Sequence, residues 1–138
     1  MKKFEFELEK VLEFRNFEKQ KAEGELAKAL AVETEINQNL ETIAMQYAAL
    51  NKSMKGSLDF TDIMSQSRYT NLLNYQKEEL LKQLAQAKIV SEEKRGVLRE
   101  CMKKTTALEK LKEKQLADWK QAVDYEEAEL LDETVKHQ

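Results

Sequence analysis

The side chains that usually carry out chemistry are few in this chain, and they are scattered. The only histidine is His137, the next-to-last residue, where a helix end is expected to fray. The only cysteine, Cys101, excludes an internal disulfide and a cysteine-based zinc site. The three glycines stand at 24, 56 and 96, so no glycine-rich loop is available to hold a phosphate. The sequence therefore offers neither a histidine acid or base nor a cluster of metal ligands.

Carboxylates are abundant, but their expected setting does not suit catalysis. On solvated helices they lack the concave, desolvated pocket that perturbs carboxyl groups at active sites. Cys101 falls on a predicted line of helix contact, where a small buried apolar residue is expected rather than a redox centre. We therefore predict a non-enzymatic protein without a cofactor or a metal, whose function is to bind partners.

The composition predicts long helices. Charged residues make up 36% of the 138 residues, proline is absent, and residues that favour helices dominate. A disordered chain would have a similar charge density, but here the apolar residues recur in threes and fours. No run approaches the roughly 20 apolar residues of a membrane span. Because the first residues alternate phenylalanine with glutamate, they form no signal-peptide core, and the cytoplasm is the expected compartment.

A first heptad stripe predicts helix one. It places residues 12, 19, 26, 33, 40, 47 and 54 at position a, and residues 8, 15, 22, 29, 36, 43 and 50 at position d. The stripe stops at KGSLDFTD, residues 55–62, where Gly56 suits a left-handed helix cap. Asp59 can cap the next helix, with Thr61 as the alternative cap. Leu58 and Ile63 are placed as a hydrophobic staple.

A second stripe predicts helix two, and its repeat slips towards the end. The regular part consists of Leu73, Leu80, Leu84, Ala87, Leu98, Cys101, Thr105 and Leu108. Beyond it the pattern moves to Leu111, Trp119, Val123 and Leu130.

Two stripes joined by a short turn predict an all-α fold, an antiparallel coiled-coil hairpin in which helix two is longer. We expect one domain over residues 1–138, with helix one at about 4–55, the turn at about 55–62 and helix two at about 61–135. With the turn centred near Asp59, facing residues have numbers that add to about 118. Gly24 and Gly96 then lie nearly opposite each other and let the helices approach closely. Phe4 lies opposite residue 114, and residues after about 117 have no partner in the chain.

Four of the five phenylalanines crowd into FEFELEKVLEFRNF, residues 4–17. In the heptad register Phe6, Phe14 and Phe17 point away from helix two. Exposed apolar clusters mark interfaces, so these three residues are predicted partner contacts. The alternatives are that the tail folds back over them, or that residues 4–8 leave the helix, as the strand-like alternation of FEFEL allows.

The unpaired tail of helix two is predicted to carry further contacts. Trp119, Val123 and Leu130 align on one face, and an amphipathic helix without an internal partner indicates an external one. Residues 99–116 have a charge balance of +3 and residues 117–138 a balance of −5. This polarity suggests a partner with a patterned surface, and a solvated helix face is the alternative.

Three stretches resemble the flagellar export protein FliJ family: KKFEFELEKVLEFR at the start, ALEKLKEKQL at 107–116, and EEAELLDE near the end. The likeness spans essentially the whole chain, including the turn. Members are the stalk of the flagellar type III export ATPase, similar in fold to the central coiled coil of the rotary ATPase γ subunit. The resemblance implies that the terminal end enters and stimulates a hexameric export ATPase. It also implies that the turn end faces the membrane export gate, and that export chaperones are further partners.

The resemblance places the gate contacts near the turn, at Ile43, Tyr47, Tyr69 and Leu72. This chain departs from the more apolar surface expected on the helix-two side, where it has Gln76, Glu79 and Gln83. Two other functions remain open: the stalk of a virulence type III secretion ATPase, and a passive coiled-coil scaffold or dimerising spacer. Since the net charge is −3, no nucleic-acid partner is predicted. Membrane association is expected only through partners, at the inner face of the cell membrane.

Overall fold

The structure, a computed structural model, describes residues 3–54, 56 and 59–136. Two α-helices account for most of them: α1 spans Glu9–Ser53 and α2 spans Phe60–Lys136. The described part of the chain contains no strand. At 77 residues α2 is longer than α1, which has 45. The predicted all-α hairpin of two long helices is confirmed.

The start of α2 is fixed by a side-chain cap. The amide of Asp62 donates a hydrogen bond of 2.8 Å to Oδ1 of Asp59, and so satisfies an amide that lacks an acceptor within the helix. Asp59 is therefore the cap, whereas the alternative, Thr61, lies inside α2. Leu58, one half of the predicted staple, lies outside the described residues. No described glycine has a left-handed φ, so the cap expected at Gly56 is not observed.

The chain divides into two compact units, each built from a stretch of α1 and a stretch of α2. The turn unit spans Gly24–Gly96, and the terminal unit combines Met1–Glu23 with Val97–Gln138. Within each unit, the line along which α1 and α2 contact each other is called the seam. The residues predicted to bind partners fall in both units.

Within the turn unit the helices run antiparallel, in a register that differs from the prediction. The Tyr47 hydroxyl donates a hydrogen bond to Asn74, and the Ser91 hydroxyl donates one to Glu33. The numbers of these pairs add to 121 and 124 instead of about 118. The cause lies near the turn, where residues 60–65 of α2 are all exposed. Pairing therefore begins several residues inside α2, and its centre falls later in the sequence than expected.

The seam of the turn unit is narrow. On α1 the buried side chains are those at the predicted d positions, Ala29, Ile36, Ile43 and Leu50. The residues at position a are half-buried. On α2, Leu73, Ala87 and Ser91 are buried. Because only two helices contribute, the d residue of each heptad points at the partner helix, while the a residue lies at the edge of the contact. Met54, the last predicted a residue, is exposed because it lies past the end of α1.

Gly24 does not bring the helix backbones together. Gly24 is exposed, and a Cβ atom placed on it would meet no other atom within 4 Å. The close approach predicted from Gly24 and Gly96 is therefore wrong.

In the terminal unit the heptad repeat of α2 slips, as the sequence predicts. Buried or half-buried residues stand at 98, 101, 105, 108 and 112, and then at 116, 119 and 123. Two successive steps of four, from 108 to 112 and from 112 to 116, interrupt the alternation of threes and fours. This slip brings Leu116 and Val123 into the seam in place of residues 115 and 122, while Trp119 keeps its position in the repeat. Leu111, predicted on the stripe, is exposed because Lys112 takes the seam position.

Candidate partner-binding surfaces

The terminal unit begins with a non-helical segment that packs on α2. This N-terminal segment, residues 3–8, precedes α1, so the predicted helix start at about residue 4 is wrong. The rings of Phe4 and Trp119 have centroids 6.0 Å apart and planes tilted by 53°. Phe6 is only 7% exposed. The alternation of FEFEL explains the arrangement, because an extended chain points Phe4 and Phe6 to one side and the intervening glutamate to the other.

Lys112 of α2 contacts the beginning of the chain in two ways. Its Nζ lies 2.7 Å from Oε2 of Glu9 and 6.0 Å from the centre of the Phe6 ring. Both ion-pair partners are about two-fifths exposed, so water screens the pair and its contribution is modest. The cation above the aromatic ring adds to it. The sequence did not predict these two contacts, because a lysine at a seam position indicates only a polar residue that interrupts the apolar stripe.

The three phenylalanines predicted to face outward do not behave alike. Phe6 is buried, so the prediction of an outward side chain is wrong for it: the residue precedes α1, and a heptad position has no meaning there. Phe14 and Phe17 lie in α1 and are 57% and 63% exposed, as predicted. Arg15 pairs with Glu18 at 3.0 Å and lies 5.9 Å from the centre of the Phe14 ring. Phe14 and Phe17, three residues apart, form an exposed aromatic pair on one side of α1.

The three residues predicted on the tail are also divided. Trp119 and Val123 are half-buried, and Trp119 contacts Phe4, five positions beyond the expected partner of Phe4. Leu130 is 60% exposed. Every side chain from 124 to 136 is exposed. The part of α2 without a partner in the described chain therefore begins after Val123 and not at about 117.

A second apolar face on this tail was not predicted. Tyr125, Leu131 and Val135 are each about two-thirds exposed, and with Ala128 they form one continuous surface. At 100° per residue this surface lies on the side of α2 opposite Leu130. Its spacing of three, three and four residues is a helical signal visible in the sequence. The predicted stripe is the one that continues the seam, and this second stripe lies on the opposite side of α2.

In the turn unit the predicted gate contacts are divided between the seam and the surface. Ile43 is buried in the seam, and Tyr47 is half-buried with its hydroxyl bonded to Asn74. Tyr69 and Leu72 are exposed on α2. Direct contact with a partner is therefore available to Tyr69 and Leu72, while Ile43 mainly supports the packing of the two helices.

Two shallow grooves lie along the seam of the turn unit. One, of about 370 Å³, is lined by Ile43 and Leu80, with Tyr75, Gln76 and Glu79 beside them. The other, of about 520 Å³, is lined by apolar residues together with Glu35, Asn39, Gln83 and Gln86. The polar side chains that depart from the expected gate surface, Gln76, Glu79 and Gln83, therefore line these grooves.

Metal-ligating side chains do not cluster in the described part of the chain: no group of three or more histidine, cysteine or acidic residues could hold an ion there. Cys101 is a free, half-buried thiol in the seam. His137 lies outside the described residues. Within residues 3–54, 56 and 59–136, no helix has the length and apolar character needed to cross a membrane.

Comparison with known proteins identifies a family. The family model described as Flagellar FliJ protein matches residues 4–138, a range that includes all of α1 and α2. No curated protein matches the chain, and no solved structure matches it.

Proposed function

Because the chain belongs to the flagellar FliJ family, whose members are components of the flagellar export apparatus, we propose that it is the non-enzymatic stalk of the type III export ATPase. In this proposal the terminal unit enters the central pore of the hexameric ATPase and stimulates ATP hydrolysis. The turn unit contacts the cytoplasmic portion of the membrane export gate, and export chaperones bind as further partners. The protein works in the cytoplasm and reaches the inner face of the membrane only through these partners.

The observation that carries the proposal is the end of α2. Residues 124–136 have no helix packed on them within the described chain, yet they expose Leu130 on one side and the Tyr125–Val135 face on the other. A helix with apolar residues on opposite sides is suited to being enclosed by a partner rather than to lying on a flat surface. Six acidic residues and one basic residue in this stretch favour a pore that presents basic groups.

The exposed aromatic pair on α1 supports a second contact of the terminal unit. Phe14 and Phe17 expose more than half of their surface, and fully burying one such side chain contributes roughly 1.5–3 kcal/mol. Phe6 and Trp119 have a different part in the proposal, since they hold the N-terminal segment on α2. Val123, at the end of the seam, marks the point from which the tail extends towards the pore.

Stimulation of ATP hydrolysis by the purified export ATPase tests the terminal contact. The intact chain is compared with a Phe14→Ala, Phe17→Ala variant and with a chain that ends at residue 123. Each variant should lose roughly tenfold or more in apparent affinity for the ATPase, as expected when one or two apolar anchors are removed. Val32→Ala with Ile89→Ala is the matched control, because both residues are exposed apolar side chains of the turn unit.

Circular dichroism verifies that every variant keeps its helices. If both helical variants stimulate hydrolysis as well as the intact chain, the terminal unit is not the ATPase contact. An intact chain that fails to stimulate hydrolysis would favour the passive spacer.

The gate contact needs a separate experiment on the exposed residues. Tyr69→Ala with Leu72→Ala should weaken binding to the cytoplasmic portion of the export gate, because both side chains are available to a partner. Tyr47 and Ile43 are unsuitable for this test, since replacing them disturbs the seam. Unchanged affinity in the double variant would remove this part of α2 from the proposed gate surface.

A further inference from the structure

The side of α2 opposite the seam carries basic residues in its first half and acidic and apolar residues in its second half. This side, between residues 103 and 135, is called the outer face. In its first half Lys103, Lys110 and Lys114 are all exposed and lie within an arc of about 40°, at 100° per residue. The acidic neighbours Glu113 and Glu109 lie about 80° and 120° from the middle of this basic stripe.

The basic stripe is poorly neutralised by its own chain. Lys103 lies 3.3 Å from Glu100, and both side chains are largely exposed. None of the ion pairs within the described residues involves Lys110 or Lys114. Two adjacent turns of α2 therefore present positive charge to the surroundings without an ion-pair partner among the described residues.

The second half of the outer face has the opposite character. Asp124 and Asp132 lie on the same side of α2 as the basic stripe, and the exposed Tyr125–Val135 apolar face lies between and beside them. Asp132 has a distant partner, Lys136 at 4.0 Å, and both are about three-quarters exposed. An exposed apolar surface with flanking carboxylates is suited to lysines, whose aliphatic stems pack on apolar groups while their ammonium groups reach the carboxylates.

We propose that the outer faces of two copies of this chain pack antiparallel, about a twofold axis near Gln121, and form a weak homodimer. An antiparallel pair of helices centred on residue 121 places Lys110 of one copy across from Asp132 of the second. Lys114 comes within one helical turn of Asp124 of the second copy. Because the axis is twofold, every contact occurs twice.

The order of charges along one helix selects a second copy as the occupant. A face that is basic in one half and acidic in the other is complementary to itself when it is reversed. In the same register Ala117 meets Tyr125 of the second copy, and Ala107 meets Val135. The small alanines leave room for the larger apolar side chains, so shape and charge are satisfied by one arrangement.

The contact involves one face of one helix in each copy, so it falls below the roughly 1,200 Å² that stable interfaces bury. It should therefore be weak and sensitive to ionic strength. This inference is independent of the proposed function, because it concerns the free protein and needs no ATPase for its test.

Sedimentation equilibrium gives the first measurement. At low salt and concentrations of tens to hundreds of micromolar, the mass should rise from 16.1 kDa towards twice that value. At about 0.5 M salt the dissociation constant should rise by roughly tenfold or more, because exposed charges are then screened. A chain that stays at the monomer mass at low salt and the highest concentration overturns the proposal.

A charge exchange tests the arrangement itself. One variant carries Lys110→Glu and Lys114→Glu, so the contacting positions 110, 114, 124 and 132 are all acidic. The other carries Asp124→Lys and Asp132→Lys, so the same four positions are all basic. Each alone should be monomeric, because like charges then face each other across the axis. An equimolar mixture should form a heterodimer at least as strong as the original dimer, because every contact is again between opposite charges.

The matched control reverses two exposed lysines elsewhere, with Lys21→Glu and Lys88→Glu, and should associate as the original chain does. Circular dichroism confirms that all variants are helical. If either single-sign variant dimerises as well as the original chain, or if the mixture does not associate, the proposed arrangement is wrong.

Discussion

Thr105 allows a direct test of the packing in the seam of the terminal unit. Its side chain is only 1% exposed, and its hydroxyl has no hydrogen-bond partner. Leaving a buried hydroxyl unpaired costs roughly 1–3 kcal/mol. Valine has nearly the same shape and lacks the hydroxyl. Thr105→Val should therefore increase the free energy of unfolding by about 1 kcal/mol. We choose the lower end of the range because a threonine hydroxyl can reduce the cost of burial by rotating towards a helix carbonyl.

Urea unfolding followed by circular dichroism measures this change. With a denaturant slope of about 2 kcal/mol per molar, the midpoint should rise by about 0.5 M while the slope stays the same. Thr106→Val is the matched control, since the neighbouring threonine is exposed and its replacement should alter the free energy by less than about 0.5 kcal/mol. A Thr105→Val variant no more stable than the original chain would refute the reasoning that the hydroxyl is buried at a cost.

Three further substitutions test other contacts. Ser91→Ala should lower the free energy of unfolding by about 1–2 kcal/mol, because the half-buried Glu33 loses the hydrogen bond of 2.5 Å that the Ser91 hydroxyl donates to its Oε1. A double-mutant cycle with Glu33→Ala measures the coupling energy of the pair. Asp59→Ala should cost about 1 kcal/mol in thermal unfolding, because α2 loses its cap. Phe6→Ala should cost about 2 kcal/mol in urea unfolding, whereas Phe14→Ala, with its exposed ring, should stay within about 0.5 kcal/mol.

Each of these expectations has a clear contrary result. A coupling energy near zero would mean that the Ser91–Glu33 contact does not contribute to stability. A fully stable Asp59→Ala variant would mean that another group caps α2. Equal effects of Phe6→Ala and Phe14→Ala would contradict the packing of the N-terminal segment on α2.

The two helices could be predicted from the sequence because local signals agree over most of their length. The cap at Asp59 indicates the start of α2, while heptad periodicity from Leu73 onward and strong helix formers indicate that the helix continues. The prediction of about 61–135 lies within one residue of Phe60–Lys136. At the start of α1 the local signals conflict. FEFEL alternates as an extended chain does, while the following residues have a helical period, and the contact of Phe4 with Trp119 favours the extended form.

The register could not be predicted, since a heptad stripe repeats and a shifted pairing satisfies nearly the same pattern. The choice depends on particular contacts, such as that between Ser91 and Glu33, which no periodicity reveals. The candidate surfaces also differ in whether they depend on local sequence or on contacts between residues distant along the chain. Exposure of Phe14 and Phe17 depends only on their position in a helix and was predicted correctly. Burial of Phe6 depends on Lys112, a residue distant along the chain, and it was not predicted.

The contacts that close the terminal unit join residues that are far apart along the chain. Glu9 and Lys112 are separated by 103 positions, whereas Tyr47 and Asn74 in the turn unit are separated by 27. Closing a long loop costs more conformational entropy than closing a short one, so the turn unit should form first and shorten the remaining loop. During synthesis, the α1 residues of the terminal unit cannot pack on α2 until the residues from 97 onward have left the ribosome. The end that carries the exposed aromatic pair and the acidic tail is therefore the last to assemble and the first to open, and hydrogen exchange should be fastest there.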